Sequence, residues 1–295
     1  MKTNLLLLDT RKNMENLICS AFSLSNQLKR KLKIVYVLDI HWVGTGVTGG
    51  ELGGPTVPGI SETYMVVEKS IRKDFEQAES EMRKTVAKYF EKYPQNVHYE
   101  IEVAEANRLD VVSKTVKREE DVLLLMSNYN TYSGLSTGTI NYPNIIDKVP
   151  CPVLIIPDRT QAFSLNNYLY ATAFHAEDLK AIKHLSETTA GADGKNLTIF
   201  HNMETLDFES KLKWIGFKTL VKDSVSGFHL KFEHANEKNV RDALKKYLTN
   251  ESLDVIVILK EKKGFFEDLF SSSETHYVLT HFDKPVLIYH EENLK

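Results

Sequence analysis

Two cysteines in 295 residues are too few for a disulfide framework, and Cys19 and Cys151 show neither C-x-x-C spacing nor a neighbouring histidine pair. Both are expected to be buried, reduced and structural. Long hydrophobic runs are also missing. The apolar stretch Leu5 to Leu8 is too short for a signal-peptide core, and no later segment approaches the ~20 apolar residues of a membrane span. A cytoplasmic protein without a membrane partner is the expectation. Basic blocks are absent as well: 37 Lys and Arg stand against 40 Asp and Glu, a net charge of -3, which leaves no electrostatic footprint for nucleic acid. The ten histidines are scattered, without the H-E-x-x-H helix face or another recognisable metal spacing.

What is present is ordinary globular material, 42% hydrophobic and 26% charged, over a length that suits two domains of about 130 to 160 residues. Short apolar runs at Leu5 to Leu8, Leu32 to Leu38, Val97 to Val103, Val122 to Met126 and Val153 to Ile156 predict strands, several apolar on both faces. Between them Val67, Ile71, Phe75, Ala78, Met82, Val86, Tyr89 and Tyr93 recur at spacings of four or three, an amphipathic helix. Strands alternating with crossovers of this length predict a parallel, doubly wound α/β sheet, because parallel neighbours need a helical return.

The pattern then repeats, with strands predicted at Tyr168 to Thr172, Leu197 to His201, Phe228 to His234, Val255 to Leu259 and Val286 to Tyr289. Asp121-Val122-Leu123-Leu124-Leu125 answers Asp254-Val255-Ile256-Val257-Ile258, and Pro152-Val153-Leu154-Ile155 answers Pro285-Val286-Leu287-Ile288. Both shifts are 133 (254-121 and 285-152). Asn4 and Asn167 differ by 163 and His98 and His229 by 131, so the first copy carries 32 extra residues between its second and third strands. The copies are expected at residues 1–160 and 161–295, divided by the short polar connection Arg159 to Ser164.

Two motifs invite functional readings that their context refuses. Gly44-Thr45-Gly46-Val47-Thr48-Gly49 satisfies G-x-G-x-x-G, with Glu68 downstream. That fingerprint needs a helix to open inside it and aim amides at a pyrophosphate, whereas Gly50, Gly53, Gly54, Pro55, Pro58 and Gly59 follow. A loop preceding the long helix is the better reading. Gly134-Leu135-Ser136-Thr137-Gly138 matches the G-x-S-x-G elbow, yet Ser127 to Ser133 separate it from the preceding strand and remove the tight turn that exposes a nucleophile. The acid pairs Glu119-Glu120 and Glu291-Glu292 read as solvated charge.

In an open doubly wound sheet, ligands bind outside the carboxyl ends of the strands where strand order reverses. In the first copy those ends are Leu8-Asp9-Thr10, Val37-Leu38-Asp39 and the segment Ser127 to Thr139, where Gly134, Gly138 and Thr139 can offer amides and a hydroxyl to phosphate. The run Asp121 to Met126, the Ser/Gly/Thr loop and Cys151-Pro152-Val153-Leu154-Ile155-Ile156-Pro157 together resemble the end of a universal stress protein domain. Asp254 to Leu259, Phe265-Phe266-Glu267-Asp268-Leu269-Phe270 and Lys284-Pro285-Val286-Leu287-Ile288 resemble the same ending again, so the resemblance spans nearly the whole chain as a tandem.

The resemblance implies two tandem doubly wound five-stranded parallel sheets of the adenine nucleotide alpha hydrolase-like kind. They would pack as a pseudo-dimer, with Val153 to Ile156 and Val286 to Tyr289 meeting across a pseudo-twofold axis. It also implies a cytoplasmic stress-response protein, a non-catalytic binding or regulatory module. Nucleotide-binding members of the family follow the fourth strand with G-x-x-G, nine residues, then Gly with Ser or Thr. Here Ser127-Asn128-Tyr129-Asn130 replaces the first glycines and Gly138-Thr139 comes after only seven residues. The family's acidic residue after the first strand is matched by Asp9, but by Thr172 in the second copy. A nucleotide site, for ATP or AMP, is therefore expected only as a remnant in the first copy, at Asp9, Thr10, Val37, Ser127, Asn130, Gly138 and Thr139. The alternatives are slow ATP hydrolysis by that remnant, or recruitment of a protein partner through Phe265, Phe266 and Phe270, rings that equally suit a helix-sheet core. A further homodimer stays open.

Overall fold

The structure, a computed structural model, describes residues 2–8, 13–38, 60–93, 97–127, 145–146, 148–157, 160, 164–189, 194–203, 207–250, 252–260 and 284–294. Strands form where the apolar runs lie. In the first half β1 (Lys2–Leu8), β2 (Lys31–Leu38), β4 (Glu120–Ser127) and β5 (Val153–Ile156) are almost wholly buried, while β3 (Tyr99–Glu105) is half-exposed. The second half repeats this with β6 (Asn167–Ala171), β7 (Lys195–Asn202), β8 (Phe228–Ala235), β9 (Val255–Lys260) and β10 (Val286–His290). The predicted third strand is displaced towards its carboxyl side. Val97 is buried from the preceding connection, outside the ladder, and the strand proper carries edge charges instead.

The ten strands share one sheet in the order β3-β2-β1-β4-β5-β10-β9-β6-β7-β8. Every neighbouring pair is parallel except β5 and β10, which run antiparallel with Val286 opposite Ile155, Leu287 opposite Leu154 and Ile288 opposite Val153. What the sequence reading treats as two sheets is thus joined edge to edge. The physical reason is that β5 and β10 each carry an edge of ladder donors and acceptors between two apolar faces, a poor surface to leave in water.

Six helices cover the sheet among the described residues: α1 (Met14–Leu28), α2 (Ile60–Phe90), α3 (Arg108–Arg118), α4 (Ala176–Thr189), α5 (Phe208–Ser224) and α6 (Val240–Asn250). Strand residues alternate between two cores, as the period of two requires. Leu6, Leu8, Ile34 and Tyr36 face α1 and α2, and α4 and α5 share that side. Leu5, Leu7, Val35 and Val37 face α3, with α6 on the same side in the second half. The predicted helical stripe Ala78, Met82, Val86 and Tyr89 is the buried face of α2. Among the described residues no helix is long and apolar enough to cross a membrane. Both cysteines are free, but only Cys151 is fully buried, its thiol pushed up to about 12 by desolvation. Cys19 corrects the expectation: it sits partly exposed on the flank of α1, packed against the core rather than within it.

Candidate functional site

Because β5 and β10 are antiparallel while each half is internally parallel, the carboxyl ends of the two sets of strands lie at opposite edges of the sheet. The chain therefore offers two crevices far apart, one between β1 and β4 and one between β6 and β9, each where strand order reverses. Of the residues nominated for the first crevice, the structure describes Val37 and Ser127. They lie near the carboxyl ends of β2 and β4, the two strands flanking β1, and both are buried, so Val37 can offer a ligand only its backbone. Asp9, Thr10, Asn130, Gly138 and Thr139 lie outside the described residues, as do the glycine-rich stretch Gly44 to Gly59 and Phe265, Phe266 and Phe270.

The β6–β7 side of the second crevice is described, and aromatic side chains pack over it, while the residues that follow β9 (261–283) lie outside the described ones. β1 ends at Leu8 and β6 at Ala171, an offset of 163, so Thr172 follows β6 where Asp9 follows β1. Thr172 has no charge to offer and its hydroxyl donates to Asp178 Oδ2 at 2.6 Å. Asp178 is fully buried in the first turn of α4, where it also accepts from the Tyr170 hydroxyl at 2.7 Å and the His175 amide at 2.9 Å. Burial pushes its pKa above the ordinary carboxyl range, against these three bonds, which favour the ionised form. The bonds make Asp178 a helix-start brace, tied to Tyr170, Thr172 and the His175 amide.

Phe174 turns back over the strand ends with φ of 65°, a left-handed conformation uncommon for a ring-bearing residue. Its ring centroid stands 3.8 Å from that of His201 and 5.7 Å from Trp214, and Trp214 in turn lies 6.5 Å from His234. His201 Nδ1 is 2.7 Å from the Thr172 carbonyl oxygen, and burial lowers its pKa, so the ring is held neutral with Nδ1–H donating. Asn202 closes the neighbouring strand end by exchanging two bonds with the backbone of Glu237, at 2.9 and 3.0 Å. Sequence reasoning named Thr172 and missed this plug. Its members come from the turn after β6, from β7 and from α5, and no local spacing joins them.

A second polar cluster ties the halves together at the amino ends of β1 and β4. Arg30, 2% exposed, donates to the Thr3 carbonyl at 3.1 Å, to Asp121 Oδ1 at 3.1 Å and to the Asp121 carbonyl. Asp121 is a bulged residue: Lys2 faces Glu120 and Thr3 faces Val122, leaving Asp121 unopposed with φ of 45°. From the second half, His184 on α4 places Nε2 3.9 Å from Asp121 Oδ1 and Nδ1 3.1 Å from the Tyr289 hydroxyl. Burial favours a neutral Asp121, but Arg30 and Lys2 outweigh it and hold the carboxyl below its usual range. Its geometry is that of a latch between halves.

No family model and no curated protein matches the chain. Solved structures do. A universal stress protein from Archaeoglobus fulgidus aligns over 97% of this chain and 96% of its own, with TM-score 0.57 and 14% identity. A functionally unknown protein from Pseudomonas aeruginosa PAO1 covers 100% and 94%, with TM-score 0.55 and 10% identity. A candidate universal stress protein from Pseudomonas aeruginosa UCBPP-PA14 covers 98% and 93%, with TM-score 0.57 and 11% identity. At such identities the likeness establishes the α/β fold over the full length of the chain, and that alone.

Proposed function

We propose that this chain is a stress-response protein of the universal stress type, with residues 1–160 and 161–295 as tandem domains packed as a pseudo-dimer through β5 and β10. In this reading it acts in the cytoplasm as a non-catalytic binding or regulatory module. The observation that carries it is the β6–β7 side of the second crevice, over which Phe174, His201 and Trp214 pack and where Thr172 stands in place of a carboxylate. Rings packed against the ends of β6 and β7 leave less room beside these strands for a nucleotide base, and a half that kept nucleotide chemistry would not be expected to place them there. The binding reading also draws on α5, which bears Phe208, Leu212, Ile215 and Leu220, the exposed large hydrophobics among the described residues, 51 to 81% exposed. Incubating the pure protein with ATP tests the non-catalytic reading: no phosphate release above a boiled control is expected. Turnover abolished by Asp9→Ala would instead establish the first half as a slow ATPase.

A further inference from the structure

His175, Glu177 and Glu291 meet at the carboxyl edge of the second half, beside the plugged crevice. His175 and Glu177 flank the start of α4, just after β6, while Glu291 opens the single 3-10 turn (Glu291–Asn293) that follows β10. One ligand atom from each lies within 4.8 Å of the others, and all three residues are partly buried. Glu291, a solvated tail charge in the sequence reading, is therefore a partner of residues more than 100 positions earlier (291-177=114).

Two features of this group are unexplained by the protein alone. His175 Nδ1 is shut off from solvent and makes no hydrogen bond, although Glu177 Oε2 is only 2.8 Å away. The two atoms make an ion contact without a hydrogen bond between them. Two ligands each about 2.1 Å from one ion and at right angles stand about 3 Å apart, so atoms converging on a shared cation would have this separation. Secondly, two carboxylates face one imidazole. Lys180 Nζ, the nearby cation, is 3.9 Å from Glu177 Oε1, and it also lies 3.5 Å from the Leu294 carbonyl.

We propose that His175, Glu177 and Glu291 form a binding site for a divalent first-row transition metal ion, such as Mn2+, Fe2+, Co2+ or Zn2+. One imidazole and two carboxylates without a thiolate suit these ions, whereas Mg2+ takes oxygen ligands and keeps its waters. Three protein ligands leave the remaining positions to water. The ion would pin the carboxyl-terminal turn to the start of α4, neutralising both glutamates where Lys180 reaches only one.

The test uses the full chain stripped by EDTA and titrated with Co2+, whose visible absorption reports coordination. One equivalent is expected to bring up a d–d band, with affinity reduced at least about tenfold in both Glu291→Gln and His175→Gln. The exposed His229→Gln is the unaffected control. A folded protein giving no band, a band surviving both substitutions, or displacement of Co2+ by equimolar Mg2+ would each overturn the assignment. Because the variants can lose stability, the unaltered chain provides a second reading: Zn2+ should slow hydrogen exchange at residues 291–294, reversibly with EDTA. Exchange indifferent to Zn2+ would contradict the site.

Discussion

Arg30 brings a full charge to a place where 2% of it reaches solvent, and three oxygens from Thr3 and Asp121 make that tolerable. Burial lowers its pKa and Asp121 raises it again, so guanidinium and carboxylate depend on each other. Arg30→Met keeps much of the volume and strands the acceptors. It is expected to cost about 2 to 4 kcal/mol in urea unfolding, less than a wholly buried pair because Asp121 is 25% exposed. A loss under 1 kcal/mol would mean that water already satisfies them.

The desolvated histidines contribute to the pH dependence. Burial lowers the pKa of both His184 and His201, so each binds its proton more readily in the unfolded chain. Their stabilising contribution is complete above the unfolded value of about 6.5 and declines as pH falls through the depressed folded values. Unfolding midpoints should therefore drop between pH 7.5 and 5, and His201→Phe should flatten that slope while keeping the aromatic contacts of Phe174. These residues were not legible as a group: His175 and Glu291, or His201 and Trp214, acquire their meaning only when strands far apart in sequence become neighbours.

At the scale of elements, the strands were readable because a strand buried on both faces is a continuous apolar run, as in Leu5 to Leu8 or Val255 to Leu259. Edge strands were less so, and β3 was misplaced by the buried Val97. The two faces of α5 make a sharper case. Trp214, Phe217 and Val221 pack inward at spacings of three and four, while Leu212 and Ile215 point to solvent. Apolar residues on both sides blur the periodic signal, so sequence alone could not say which row is core. Leu212→Lys should change stability by no more than about 0.5 kcal/mol, whereas Trp214→Ala should cost about 3 to 5 kcal/mol by emptying the aromatic plug. Equal effects in chemical denaturation would contradict this division.

At the scale of the molecule, the common 133-residue offset pointed to the repeated strand order, and the resemblance supplied the meeting of the fifth strand of each half that no residue pattern contained. Antiparallel β5 and β10 place the junction at the centre of the sheet, where Leu154 and Leu287 are 3 and 6% exposed. With the Arg30, Asp121, His184 and Tyr289 cluster spanning the same boundary, the halves should unfold together. Circular dichroism and Trp fluorescence should give one superimposable transition, and Ile155→Pro, which removes a ladder donor, should destabilise both halves at once.

The central claim is that this fold works here without standard nucleotide binding. The first half has Ser127-Asn128-Tyr129-Asn130 in place of the first pair of glycines that let a backbone approach phosphate, and losing two charge-assisted bonds of roughly 1.5 to 3 kcal/mol each weakens binding by about two to four orders of magnitude. Calorimetric titration of the full chain with ATP and AMP tests this directly. The account predicts no saturable heat up to about millimolar ligand, where a dissociation constant corresponds to only about 4 kcal/mol. Saturable micromolar binding that disappears in Asp9→Ala would contradict it and make the first half a nucleotide sensor.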